Sequence, residues 1–106
     1  MIISTCLVQK GQISGEVKAA LHARLDEFTN AKFGSHAEIK WTEIPKGSGY
    51  TAAQPSTSSI VSLVANRSLE QEVRIPLLLE LCELWSRETG CSLDEIVGVI
   101  NDPAVN

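Results

Sequence analysis

Three kinds of side chain in this sequence could carry chemistry: paired carboxylates, two histidines and three cysteines. Two carboxylates share acid–base work only where their surroundings push their pKa values apart. Asp26-Glu27 and Glu80/Glu83 fall on helical stretches and read as solvated faces. Asp94-Glu95 opens the last strand and reads as a turn cap. His22 lies off the apolar stripe of its helix and reads as a solvated side chain, and His36 as a surface loop residue. Cys6, Cys82 and Cys91 are odd in number and lack CxxC spacing, which argues against a disulfide framework and a zinc site. They read as reduced thiols of a cytoplasmic protein. Gly47-Ser48-Gly49-Tyr50-Thr51-Ala52 imitates a dinucleotide fingerprint, but Pro55 and a Ser/Thr run follow it where a helix N-terminus would be needed. Neither a GxSxG elbow nor a P-loop occurs. No metal or cofactor is implied. Asn66-Arg67-Ser68 fits a glycosylation sequon, which is empty without a secretion route.

The elements that must position these groups fit one domain, residues 1–106. The chain has 106 residues, 43% of them hydrophobic, with 13 acids against 9 bases and a net charge of −4. That composition excludes disorder and collagen, and no Lys/Arg cluster exists to follow a phosphate backbone, so nucleic acid is not an expected partner. No apolar run approaches the 18 or so residues of a membrane span. The opening MIISTCLVQK carries its charge after the apolar run and reads as a strand, not a signal peptide.

Ile2 to Val8 is apolar and rich in β-branched residues, a strand buried on both faces. Ser14 caps a helix whose stripe is Val17, Leu21, Leu25 and Phe28, and Gly34 ends it. Ala37 to Ile44 alternates, with Ile39 and Trp41 on one face and Glu38, Lys40 and Thr42 on the other. Pro45 to Ser59 is a long irregular loop, a kind of segment that in compact domains carries function or a partner contact. Ser59 to Ala65 is another strand. Ser68 and Gln71 form a capping box for a helix with stripe Val73, Leu77, Leu81, Leu84 and Trp85. Pro76 predicts a kink or a late start there. Leu93 to Ile100 is the last strand, closed by Asp102-Pro103.

The order is β-α-β, loop, β-α-β, an α/β fold of two βαβ units over about 1–45 and 57–103. Right-handed crossovers make each unit a parallel strand pair under one helix. Both helices then lie on one face of a four-stranded sheet, and the other face is bare and apolar. A second copy of the chain is its simplest cover.

Glu43-Ile44-Pro45-x-Gly47-x-x-Tyr50, Gly11-Gln12-Ile13-Ser14, Trp41 through Gly47, Asn66-Arg67-Ser68 and Val99 through Pro103, in this order, resemble the tautomerase superfamily. This group includes 4-oxalocrotonate tautomerase and macrophage migration inhibitory factor, and the resemblance is nearest to its cis-3-chloroacrylic acid dehalogenases. The resemblance implies a homotrimer whose sheets form a central barrel, with a pocket at the amino terminus of the first strand near subunit boundaries. It implies an amino-terminal proline as the base, since a secondary amine in an apolar pocket with cationic neighbours is neutral at pH 7. Ile2 occupies that slot behind Met1, so the primary amine is displaced by one residue.

By the same resemblance Arg67 binds substrate carboxylate, a role suited to a planar fork, and Val64 stands where a second arginine is expected. Thr29 falls at the dehalogenase's helix-1 histidine, Asp102 near its water-activating acid and Tyr50 at an aromatic loop position. The plain structural roles are a first-turn surface residue for Arg67, a turn residue for Asp102 and subunit packing for Tyr50. Cys6, on the first strand near the pocket end, has no histidine near it in sequence and reads as inert. The expectation is a pocket for a small carboxylate or keto/enol acid. The competing readings are a non-catalytic trimeric binding or scaffold module, and a ferredoxin-like ligand-binding domain, whose element order is the same.

Overall fold

The computed structural model describes residues 1–104. In chain order it has β1 (Ile2–Gln9), α1 (Gly15–Phe33), β2 (Ala37–Ile44), β3 (Tyr50–Thr51), β4 (Gln54–Pro55), β5 (Ser59–Val64), α2 (Gln71–Thr89), a 3-10 turn (Leu93–Glu95) and β6 (Ile96–Asn101). The main sheet has the order β2-β1-β5-β6. β1 and β2 are parallel, as are β5 and β6, and the two pairs meet antiparallel at β1 and β5. This is two βαβ units side by side.

α1 starts where Ser14 Oγ accepts the Val17 N–H at 3.2 Å, relieving one orphan donor of the first turn. It stops at Gly34, whose φ of 66° sends its N–H back to the last-turn carbonyls. Leu21, Leu25, Phe28 and Phe33 go into the core, where the α2 residues Leu77, Leu81, Leu84 and Trp85 meet them. Trp85 is fully buried, with its ring centroid 6.1 Å from that of Trp41. Alternate strand residues complete this layer: Ile2, Cys6 and Val8 from β1, Val61 and Leu63 from β5, Ile96 and Ile100 from β6.

Four local expectations are corrected. Ser68 makes no capping box with Gln71: the N-cap of α2 is Glu70, without a side-chain cap bond. The Glu70 carbonyl takes the Val73 and Arg74 N–H groups, and the Leu69 N–H goes to Asp102 Oδ1, so the chain ahead of α2 is held elsewhere. Val73 is 47% exposed, because Leu69 from ahead of the helix fills the core beneath the first turn. Of the kink or late start expected at Pro76, it is the late start that is corrected, since the helix runs through Pro76 from Gln71. The last strand begins at Ile96, because Ser92 and Glu95 form a reciprocal capping box that winds 93–95 into a 3-10 turn.

The long loop contains a small hairpin. Tyr50 pairs with Pro55 and Thr51 with Gln54, and the tip residues Ala52 and Ala53 have φ of 52° and 62°. Two positive φ values in succession are what a two-residue hairpin of matching twist requires, usually supplied by Asn and Gly.

The sheet face away from the helices carries Ile3, Leu7, Ile60, Val64, Val97 and Val99, with Thr5 paired to Ser62 among them. Ile3, Val64 and Val97 are 42%, 40% and 49% exposed. The charges on this face, Glu38 and Lys40, are confined to the edge strand β2.

Candidate functional site

The strand directions sort the sequence-derived candidates by end. Ile2 lies beside Ala37, and β5 and β6 finish together at Val64 and Asn101 near this same end. α1 also terminates here, because it returns antiparallel to β1. Met1, Ile2, Thr29, Arg67 and Asp102 therefore share one end of the sheet. Tyr50 sits beyond the other end of β1, about 23 Å away at 3.3 Å per residue. It is 64% exposed on the hairpin, so one chain does not bring it to the rest.

Within the shared end the candidates differ in availability. Met1 is 75% exposed. Ile2 is fully buried and its N–H donates to the His36 carbonyl at 2.8 Å. Thr29 is also fully buried, and its hydroxyl donates to the Asp26 carbonyl one turn earlier, so it offers no free polar atom to a ligand. Arg67 lies with its guanidinium 5.1 Å from the Phe33 ring centroid and donates to the Lys32 carbonyl at 3.1 Å. Asn66 donates to the Phe33 carbonyl at 2.8 Å. Residues 66 and 67 thus satisfy carbonyls that the end of α1 leaves open. Asp102 accepts from Leu69 N at 3.1 Å and from Arg74 Nη2 at 3.0 Å.

Cys6 sits mid-strand and faces the helices. Burial, only partly offset by the Ser4 hydroxyl, raises its thiol to about 11. It is a neutral core residue at neutral pH, not a group at the pocket end.

Four polar residues at this end, His36, Asp26, Asn30 and Arg74, fall outside the sequence-derived site candidates. His36 Nδ1 lies 3.1 and 3.2 Å from the two carboxylate oxygens of Asp26, and the Asn30 carboxamide is 3.0 Å from the same nitrogen. Asp26 Oδ1 also accepts the Ala37 N–H at 2.9 Å. That backbone bond, then the bond from His36, holds the Asp26 carboxyl below its ordinary range. The Asp26-Glu27 pair predicts a solvated face, whereas Asp26 is tied to His36 and Ala37. The available signal was the Gly34 stop, which reverses the chain within two residues and brings position 36 back beside position 26. Arg74, the partner of Asp102, was missed because it is only one of several charges on its helix.

Three hollows mark the surface. One of about 390 Å³ lies between the helices, lined by Arg24, Lys32, Glu80 and Arg87 among others. One of about 500 Å³ lies at the far end of β1, between Lys10, Gln12, Lys46 and Thr57. The third, about 270 Å³, lies under Tyr50 on the open face beside Ile44, Ile60 and Val97. None of the three includes Met1, Arg67 or Asp102.

No family model matches the chain, and no curated protein matches it. Solved structures match over almost its whole length. Native Ps01740 superposes with a TM-score of 0.87 at 20% identity, over 98% of this chain and 99% of that one. N1, a member of the cis-3-chloroacrylic acid dehalogenase family, gives 0.83 at 11% identity over 95% of this chain and 74% of its own. A fused 4-OT wild-type symmetric trimer gives 0.77 at 19% identity, over 95% and 85%. A ferredoxin-like arrangement is not needed to explain the element order: by its sheet, its two βαβ units and these superpositions, the chain has the fold of the tautomerase superfamily.

Proposed function

We propose that this chain is a homotrimeric, cytoplasmic tautomerase-like protein of one domain that binds a small carboxylate or keto/enol acid at the Met1 end of the sheet. The observation that carries the reading is the near-complete superposition on structures that include a 4-OT trimer and a cis-3-chloroacrylic acid dehalogenase family member. The open apolar face supports assembly, since a sheet surface bearing Ile3, Leu7, Ile60, Val64, Val97 and Val99 gains from leaving water. Three such faces would close the central barrel. Tyr50, which one chain keeps at the far end of β1, belongs to the pocket in this reading only as a neighbouring chain's residue.

In this reading Arg67 is the carboxylate anchor once it leaves the Phe33 ring, and Asp102 borders the pocket, while Thr29, buried and bonded to the Asp26 carbonyl, supports α1 behind it. The base is the Met1 amine or another group at that end, since Ile2 supplies no proline nitrogen. An amine displaced by one residue is poorly placed, because a misplacement of about 1 Å can cost roughly 100-fold in rate. The test is ketonisation of phenylenolpyruvate or 2-hydroxymuconate, with intact mass recording whether Met1 is retained. A rate equal to that in buffer removes the enzymatic reading.

The second reading is a non-catalytic trimeric binding or scaffold module. Ile2 in the proline slot, Val64 in the second arginine position and the ties holding Arg67 to α1 favour it. Ile2→Pro separates the two. A gain of tautomerase activity means that only the base was lost, and no gain favours the scaffold.

A further inference from the structure

The Met1 end holds one side-chain arrangement that none of the motifs accounts for. His36 stands directly before β2 and, by the parallel register Ile2↔Ala37, beside Met1. Its carbonyl is fixed by the Ile2 N–H, so its backbone is tied to the strand that leads into the site. Its ring is 75% exposed, and its Nδ1 faces both oxygens of Asp26. An ionised carboxylate only accepts hydrogen bonds, so the Asp26 contact places a proton on Nδ1. Asn30, 3.0 Å from the same nitrogen, then turns its carboxamide oxygen and not its NH2 toward it. In the neutral ring the lone pair is then on Nε2, which has no hydrogen-bond partner among the described residues. Asp26 is itself oriented by the Ala37 N–H, and Asn30 closes the third side. A histidine whose tautomer is set by a fixed carboxylate is the arrangement that base catalysis uses.

We propose that His36 is the proton-carrying group of the Met1-end site, with Asp26 as its positioning residue. The inference rests on the keto/enol acid reading above and supplies the base that Ile2 removes. Nε2 takes a proton from the carbon next to the keto group of a 2-keto acid. The C–H electron pair becomes the carbon–carbon double bond, and the carbonyl π pair moves onto oxygen. The imidazolium then returns its proton to that oxygen, giving the enol. The reverse order ketonises the enol, and no other reactant is consumed. The charged and titratable groups around the ring are Asp26 and, one helical turn earlier, His22, with the Met1 amine on the neighbouring strand.

The chain has two histidines, so the ring C–H signals of His36 and His22 can be followed separately in the full-length protein by NMR during addition of phenylpyruvate. Saturable movement of the His36 signals with His22 still is expected. His36→Gln is expected to lower phenylenolpyruvate ketonisation about 100-fold or more, the usual scale for removing a general base, with KM little changed. Asp26→Asn is expected to give an intermediate loss and a shifted pH profile, which a purely structural role would not produce. Movement of Met1-end amides without His36, or a His36→Gln variant as fast as wild type, overturns the assignment and leaves the site standing. No movement anywhere together with no activity overturns both.

Discussion

The Arg74 guanidinium reaches across the start of α2 to Asp102, Nη2 to Oδ1 at 3.0 Å, and joins the end of β6 to the chain ahead of the helix. The same guanidinium donates to the Ile100 and Leu69 carbonyls at 2.7 and 2.8 Å, and Oδ1 also takes the Leu69 N–H. The Arg74 side chain is only 16% exposed, so removing its partner leaves charge and donors poorly satisfied. Asp102→Ala should lose about 1–3 kcal/mol of stability. Asp102→Asn keeps the accepting oxygen and should lose less. If Asp102 also acts on a substrate, Asp102→Asn separates the roles, with urea denaturation near wild type and activity reduced.

Assembly should depend on the open sheet face. Light scattering during size exclusion should give the mass of three 11.5 kDa chains. Leu7→Lys, at the centre of that face opposite Ile60, should reduce this to one chain, because a buried ammonium without a partner costs several kcal/mol. A wild-type protein that remains a well-folded single chain at high concentration contradicts the trimer.

Gly98 sits under α2 with no room for a side chain. A Cβ there would lie 2.8 Å from Cys82 Sγ. Gly98→Ala should therefore destabilise by about 1–3 kcal/mol through overpacking. Cys82→Ala removes the obstructing sulfur, so Gly98→Ala in that background should cost much less. Additive losses in thermal or urea unfolding would contradict the contact.

The hairpin tip offers the opposite test. Ala52 and Ala53 both occupy left-handed conformations, each unfavourable by roughly 1–2 kcal/mol for a residue with a Cβ. Replacing them with Asn-Gly should raise stability by about 1–2 kcal/mol. No gain in the unfolding midpoint would mean that the tip does not hold this turn.

Asp26 sets a pH dependence whose sign is fixed. Its carboxyl is held below the ordinary 3.8, first by the Ala37 N–H and then by His36. A depressed folded value gives stability that is full above the unfolded value and lost as pH falls through the folded one. Wild type should therefore lose stability below about pH 4, more steeply than Asp26→Asn, which keeps an acceptor for Ala37 but has no proton to gain. Parallel pH profiles would contradict the assignment.

The sequence by itself determined the two βαβ units, because each element carries its own periodicity and its own stop. The Val17-Leu21-Leu25-Phe28 stripe, the Ser14 cap and the Gly34 reversal are local signals, and local sterics decide them. It also determined that the sheet would have a greasy uncovered face, since right-handed crossovers put both helices on the same side. What only the tertiary structure decided were contacts between residues distant in sequence. The Asp26–His36 pair spans a helix end and a chain reversal, Arg74 finds Asp102 across 28 positions, and Arg67 turns back onto Phe33. None of these has a periodic or spacing signature, because a side-chain hydrogen bond depends on where two backbones meet and not on how each one folds alone. The same holds for the start of α2. Ser68 and Gln71 have the spacing of a capping box, but Asp102 arrives from the end of β6 and, with Arg74 of α2 itself, holds that segment in another shape.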